Sequence, residues 1–158
     1  MGRVKNKRRT TMIRKILDLF FRHRSADASA RPGMRFVDLG LPSGTLWAES
    51  DVKEPTMAGC SLPSYAQIHE LIVCCHFYIG SGSDGRKYYC AKGPSEQFVL
   101  FPIEDYEGTP GQSGCCWCAD SVGEKFRYFM LISEDTITIG AGQSDLKFPY
   151  RMVKSSSC

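Results

Sequence analysis

Cysteine is unusually abundant in this sequence, and its thiol is a side chain that could do chemistry. The 158 residues include eight cysteines: Cys60, Cys74, Cys75, Cys90, Cys115, Cys116, Cys118 and Cys158. A thiolate in contact with an imidazole can act as a nucleophile, and His69 and His76 share a predicted helix with two of these cysteines. Side chains of one helix rarely form a nucleophile–base pair, and no oxyanion loop is apparent. We therefore expect packing roles, with a cysteine-dependent enzyme as an alternative.

A metal centre is the second chemistry that these residue types suggest. Zinc needs four ligands that converge tetrahedrally. On a strand, Cys116 and Cys118 share one face while Cys115 points to the other, so further ligands would have to approach from elsewhere. The loop at 104–107 carries three carboxylates that a hard cation could use. Neither spacing demands a metal, so we predict no metal ligands, no obligate calcium and no cofactor. A small metal–thiol protein stays an alternative.

Charge divides the chain into a basic extension and an acidic body. Residues 1–33 carry ten Lys or Arg and two Asp, a net charge of +8, whereas residues 34–158 carry a net charge of −5. The body therefore has no obvious basic face for nucleic acid, and no aromatic stacking platform accompanies the extension. We expect no nucleic-acid partner.

Residues 12–22 (MIRKILDLFFR) predict a short amphipathic helix within the extension, followed by a linker at 25–33. Such a basic segment could lie on an anionic membrane surface or dock on its own or a partner domain. The segment is not a convincing secretory signal, because Asp18 interrupts its short apolar run. The compartment and the oligomeric state therefore stay open. A structural protein anchored by this basic tail is a further alternative.

The body, residues 34–154, predicts one α+β domain. A helix is expected at 63–77, with an apolar stripe formed by Tyr65, Ile68, Leu71, Ile72 and Cys75. Short strands are expected at 35–39, 45–49, 86–91, 97–101, 115–119, 126–132, 136–139 and 148–153, and a glycine-rich turn at 80–85. One helix with a run of short antiparallel strands indicates the α+β class. The expected core aromatic residues are Trp47, Trp117, Phe129 and Tyr150.

Five stretches of the body resemble, in the same order, the motifs of one family. The most specific is residues 36–48 (FVDLGLPSGTLWA). The others are the LPS start and IHELI run of the helix, Gly93-Pro94 before the FVLFP strand, GCCWC at 114–118, and FPYRMV at 148–153. Together they resemble the Fibrobacter succinogenes major paralogous domain, a family abundant in Bacteroidetes, over about three quarters of the chain.

The resemblance implies a compact C-type-lectin-like domain. Such domains usually act as non-enzymatic binding modules, or adhesins, on cell surfaces or phage particles, with a glycan or protein as ligand. The chain departs from the family in two ways. The long aromatic insertion that usually precedes the helix is reduced to residues 50–61, and the usual lipoprotein signal is not found.

The resemblance also indicates where the ligand face lies. The family usually has Tyr-Tyr-Trp-Ser where this chain has Cys-Cys-Trp-Cys, and some proteins of this fold are diversified by retroelements whose adenine mutations turn Tyr codons into Cys codons. Outward-facing side chains of residues 112–121 and 133–147 would then form the binding surface. The predicted ligand-binding residues are Gln112, Cys116, Trp117, Cys118, Asp120, Ser133, Asp135 and Ser144.

Overall fold

A computed structural model describes residues 33–156 of the chain. Their elements are, in chain order, β1 (Phe36–Asp38), β2 (Thr45–Ala48), α1 (Tyr65–Cys74), β3 (His76–Ser81), β4 (Lys87–Lys92), β5 (Phe98–Pro102), β6 (Gly114–Val122), β7 (Phe126–Ile132), β8 (Ile137–Gln143) and β9 (Val153–Ser155). The prediction of an α+β domain is confirmed. Over this range, α1 is too short and too polar to cross a membrane. The predicted helix at 12–22 and nearly all of the linker at 25–33 lie outside the described residues.

The strands form three small antiparallel sheets. Their orders are β1-β2-β9, β3-β4-β5 and β6-β7-β8. In the first sheet, the earliest and the latest strands flank β2, where Phe36 pairs with Ala48 and Thr45 pairs with Ser155. The other two sheets are meanders whose consecutive strands pair, as expected when turn-forming residues separate short apolar runs.

Helix α1 is capped by its own sequence. The Ser64 hydroxyl accepts a hydrogen bond from the backbone N–H of Gln67 at 3.1 Å, and the Gln67 side chain accepts one from the backbone N–H of Ser64 at 2.9 Å. This capping box satisfies two N–H groups that would otherwise lack partners. Ile68 and Leu71 are buried as predicted, but Tyr65 is 44% exposed, so the predicted stripe is wrong at its first position.

The predicted end of the helix, at residue 77, is also wrong. Cys75 is extended, and His76 begins β3, a strand that the sequence did not predict. Six residues of β3 pair with β4, from His76 opposite Lys92 to Ser81 opposite Lys87. Aromatic and β-branched side chains favour this pairing over another helical turn.

The strand predicted at 148–153 is wrong for most of its length. Only its last residue enters β9, which pairs with β2. The preceding residues are irregular, and an isolated bridge joins Tyr150 to Val52. Pro149 has no N–H to donate to a ladder, which disfavours a regular strand at this point of the segment.

Apolar residues cover both faces of the first half of β6. Cys116 and Cys118 face the main core, which also contains Trp47, Ile68 and Leu71. On the opposite face, a second group forms the aromatic cluster: Cys115, Trp117, Phe129 and Phe148. The pairing with β7 shifts register between Trp117 and Ser121, and the residues after the shift are exposed. The predicted burial of Trp47, Trp117 and Phe129 is confirmed, and Tyr150 is half-buried against the aromatic cluster.

The motifs that carry the family resemblance meet in space. A Cβ on Gly93 would lie 2.1 Å from the carbonyl oxygen of Leu39, so this close approach requires glycine. The Ser95 N–H donates to the same carbonyl at 3.1 Å. The Ser43 N–H donates to the Glu70 carboxylate of α1 at 2.9 Å. The turn at 40–44 is therefore held between the helix and the turn at 93–96.

Candidate functional site

An open cleft of about 460 Å³, which we call the loop cleft, lies between three loops. The first contributes Asp51, Val52 and Lys53, the second Pro102, Glu104 and Tyr106, and the third the run from Ser144 to Tyr150. These loops carry no regular ladder of hydrogen bonds, so the packing beneath them must fix their geometry.

Aromatic rings form the wall of the loop cleft. The Tyr106 ring packs edge-on against Phe148, with ring centres 6.2 Å apart. Phe148 is itself buried against Trp117 and Phe129, with ring centres 4.8 and 4.7 Å away. Each such ring pair contributes roughly 0.5–1.5 kcal/mol of stabilisation beyond the contribution of the surface area that it buries. The aromatic cluster therefore holds Tyr106 in place and presents a preformed apolar surface to the cleft.

Arg151 fixes the inner side of the loop cleft. Its side chain is 1% exposed, and its Nε donates to Oδ1 of Asp51 at 2.6 Å. Its other hydrogen bonds go to three backbone carbonyl oxygens, those of Ala48, Glu49 and Leu100. The guanidinium also lies 4.5 Å from the centre of the Phe101 ring. This buried cation ties β2, β5 and the 51–53 loop to the C-terminal segment. Sequence reasoning missed it, although a single arginine inside the apolar run at 148–153 was a usable signal.

Most carboxylates of the loop cleft are already neutralised. Asp51 pairs with Arg151, and Glu104 pairs with the exposed Arg86 at 2.6 Å. The remaining charged side chains that line the cleft are Lys53, Asp145 and Lys147. Within residues 33–156 these three form no ion pair, so the cleft offers ligands a small excess of positive charge.

Burial keeps the Tyr106 hydroxyl and the two thiols behind the loop cleft uncharged. It raises the pKa of the Tyr106 hydroxyl, and the nearby Cys115 and Glu104 raise this pKa further. Burial is also the main reason why the pKa values of the Cys115 and Cys116 thiols are raised. Tyr106 is therefore a neutral hydrogen-bonding group at physiological pH, and the two thiols are protonated and poor nucleophiles.

The other buried thiols behave in the same way. Burial raises the pKa of Cys75 and of Cys90 to about 12, and that of Cys118 to about 11. All seven cysteines of the described residues are free thiols. Nowhere within residues 33–156 do three His, Cys, Asp or Glu side chains converge so that they could hold a metal ion.

Three of the predicted ligand-binding residues are not accessible to a ligand. Cys116, Trp117 and Cys118 are each at most 1% exposed, so the prediction that they contact a ligand is wrong. They lie in the first half of β6, where the main core covers one face and the aromatic cluster covers the other. Trp117 still acts on the loop cleft indirectly, because it packs behind Phe148.

The five remaining predicted residues do not form one site. Asp120 accepts a hydrogen bond from the Tyr65 N–H at 2.6 Å and so joins β6 to the start of α1. Gln112 has a positive φ of 63°, and its N–H donates to the Asp105 carboxylate at 2.8 Å. Ser144 lines the loop cleft, whereas Ser133 and Asp135 line a second depression.

The second depression, which we call the hairpin groove, has a volume of about 270 Å³. It lies between the β3-β4 hairpin and the turn that joins β7 to β8. Phe77, Ile79 and Tyr89 contribute apolar surface, and Glu134 and Asp135 are exposed at its rim. Burial raises the pKa of the Tyr89 hydroxyl, and the charges of these two carboxylates raise it further.

Comparison of the chain with protein-family models, with curated proteins and with solved structures finds no match in any of the three.

Proposed function

We propose that this chain is a non-enzymatic binding module with a C-type-lectin-like domain, related to the Fibrobacter succinogenes major paralogous domain, that recognises a glycan at a cell or phage surface. The loop cleft is the observation that carries the proposal. It combines a preformed aromatic wall with polar groups whose charges are mostly neutralised.

The arrangement of the motifs supports the family relationship. The segment 39–44 contacts the helix through Ser43 and Glu70, and it contacts the turn at 93–96 through Leu39 and Ser95. Residues that resemble one family therefore form one connected structural unit, as a shared fold requires.

The state of the thiols supports binding over catalysis. A cysteine nucleophile needs a depressed pKa, a partly exposed sulfur and an adjacent base. Burial instead raises the pKa of Cys90 to about 12, and Cys115 and Cys116 are buried with raised pKa values. These cysteines act as small apolar side chains of the core.

The dimensions of the cleft favour a glycan over a protein surface. Sites for small ligands are concave and typically enclose about 300–1,000 Å³, with an apolar lining and a few directed polar groups. The loop cleft, at about 460 Å³, falls in this range. The Tyr106 ring can pack against the C–H face of a sugar, while Ser144, Asp145 and Lys147 can bond to its hydroxyl groups.

A glycan array probed with the full chain tests the proposal, followed by titration of the best ligand against two tyrosine variants. Tyr106→Ala removes the aromatic wall and should weaken binding at least about tenfold, a loss of about 1.4 kcal/mol. Tyr65→Ala removes a 44% exposed tyrosine away from the cleft and should leave the affinity unchanged. Thermal unfolding verifies that both variants are folded.

Three outcomes would contradict the proposal. The array could show no ligand, both variants could bind with unchanged affinity, or the chain could cleave the glycan that it binds. Cleavage that an alkylating agent stops would favour the cysteine-dependent enzyme instead.

A further inference from the structure

Ile79 is the most exposed apolar side chain of the hairpin groove, whereas Phe77 is half-buried and Tyr89 is 4% exposed. Ile79 is 42% exposed, and it lies opposite Tyr89 in the β3-β4 ladder, on the same strand face as Phe77. An exposed aliphatic side chain beside two aromatic ones at the edge of a depression is a contact surface for another apolar segment.

The rim of the hairpin groove carries uncompensated negative charge. Glu134 and Asp135 are adjacent in the β7-β8 turn, and both are exposed. Within residues 33–156 neither forms an ion pair, in contrast to Asp51 and Glu104 of the loop cleft. A partner for this groove should therefore combine apolar side chains with a positive charge.

One segment of the same chain has this chemistry. Residues 12–22 contain three basic residues and one acidic residue, together with an apolar set at helical spacing: Ile13, Ile16, Leu17 and Phe20. The extension that contains the segment has a net charge of +8, opposite in sign to the body. Residues 12–22 therefore combine the apolar side chains and the positive charge that a partner for the hairpin groove requires.

The connection between the segment and the domain is long enough. Residues 23–33 form eleven links, which extend to at most about 36–40 Å. A domain of the 124 described residues has a radius of gyration of about 14 Å, so the extended connection is about as long as the domain is wide. A tether of this kind gives an effective concentration on the order of millimolar, which makes even a weak contact populated.

We propose that residues 12–22 dock in the hairpin groove of their own chain. Their apolar side chains cover Ile79 and the exposed part of Phe77, and their basic side chains face Glu134 and Asp135. This contact does not involve the loop cleft, so its test is independent of the test of glycan binding.

Amide hydrogen exchange on the full chain, read by mass spectrometry, tests this docking. The amides of residues 12–22 should exchange at least about tenfold more slowly in the wild type than in the double variant Glu134→Lys/Asp135→Lys. The matched control is Glu54→Lys/Glu124→Lys, which makes the same change in net charge at two exposed positions outside the groove. The amides of residues 12–22 should exchange slowly in the control variant. They should also exchange slowly in the diluted wild type, because docking within one chain does not depend on protein concentration.

A second variant tests the apolar half of the contact. Ile79→Asp changes one exposed side chain and should also abolish the slow exchange of residues 12–22. Exchange of the α1 and β4 amides in the same spectra shows whether each variant is folded.

Four results would overturn the proposal. The segment could exchange at the unprotected rate in the wild type, or the two charge variants could lose protection equally. Protection that rises with protein concentration would assign the groove to a second copy of the chain. Protection that appears only with vesicles of anionic phospholipid would assign residues 12–22 to a membrane surface.

Discussion

The loop cleft and the hairpin groove both combine aromatic side chains with carboxylates, but their charges are balanced in different ways. In the loop cleft, Asp51 and Glu104 each have an arginine partner from the same domain. At the hairpin groove, Glu134 and Asp135 have no cationic partner within residues 33–156.

Burial explains the pairing of Asp51, whereas Glu104 and Arg86 form an exposed pair. Asp51 is only 20% exposed, and a carboxylate that has lost most of its hydration is costly unless a cation and hydrogen bonds replace the water. Carboxylates on an exposed turn keep their water and need no partner for the fold. The internal pairs therefore hold the walls of the loop cleft in place for a ligand, whereas the exposed carboxylates of the hairpin groove are available to a partner of opposite charge.

The largest loss of stability should follow removal of the buried ion pair between Arg151 and Asp51 beneath the loop cleft. Arg151→Met keeps the volume of the side chain but leaves Asp51 and three carbonyl oxygens without their donor. We expect the free energy of unfolding in urea to fall by about 3–5 kcal/mol. Arg86→Met, which breaks the exposed pair with Glu104, should cost at most about 1 kcal/mol. Equal losses in the two variants would remove the distinction between the buried and the exposed pair.

A smaller loss of stability should appear at alkaline pH, and it should come from the Cys115 thiol behind the loop cleft. The pKa of Cys115 is raised from 9.0 in the folded protein, so its contribution to stability is fully present below about pH 9 and is lost as the pH rises towards the folded pKa. Stability should therefore fall by about 1.4 kcal/mol per pH unit for each such thiol. Urea unfolding between pH 8 and about pH 10.5 should give a shallower decline for Cys115→Ala than for the wild type. Parallel declines would contradict the assignment.

The smallest loss of stability should come from neutralising the two carboxylates of the hairpin groove. The double variant Glu134→Gln/Asp135→Asn removes two exposed charges that have no cationic partner within residues 33–156 and keeps the apolar contact proposed for residues 12–22, so the free energy of unfolding should fall by no more than about 1 kcal/mol. The pKa of the Tyr89 hydroxyl should fall, because both charges raise it in the wild type. Ultraviolet titration, with Tyr89→Phe to assign the signal, measures this shift. A loss clearly above about 1 kcal/mol would show that the carboxylates have a partner within residues 33–156 and would end the contrast between the two depressions.

Local periodicity predicted the parts of the fold that depend on neighbours in sequence. Ile68 and Leu71 face the core because they lie at helical spacing, and the alternation in β6 places Cys116 and Cys118 on one face. The run from Cys75 to Ile79 suits either a helix or a strand. Pairing with β4 decides its conformation, and a short stretch of sequence around these residues does not include the β4 residues with which they pair.

The candidate site was harder to predict for the same reason. Ser144 was placed correctly in an exposed loop, but nothing local shows that a strand such as β6 is covered on both faces. Arginine is normally exposed, and Arg151 is buried because Asp51, 100 positions earlier, meets it in the folded chain.

The sheet β1-β2-β9 also determines how the domain responds to mechanical force. Both outer strands run antiparallel to β2, with Phe36 at one end of β2 and Ser155 at the other. A pull applied at these two residues therefore acts along the strand axes. The hydrogen bonds on both sides of β2 would be loaded in shear and would have to break together, whereas a peeling force would open them one at a time.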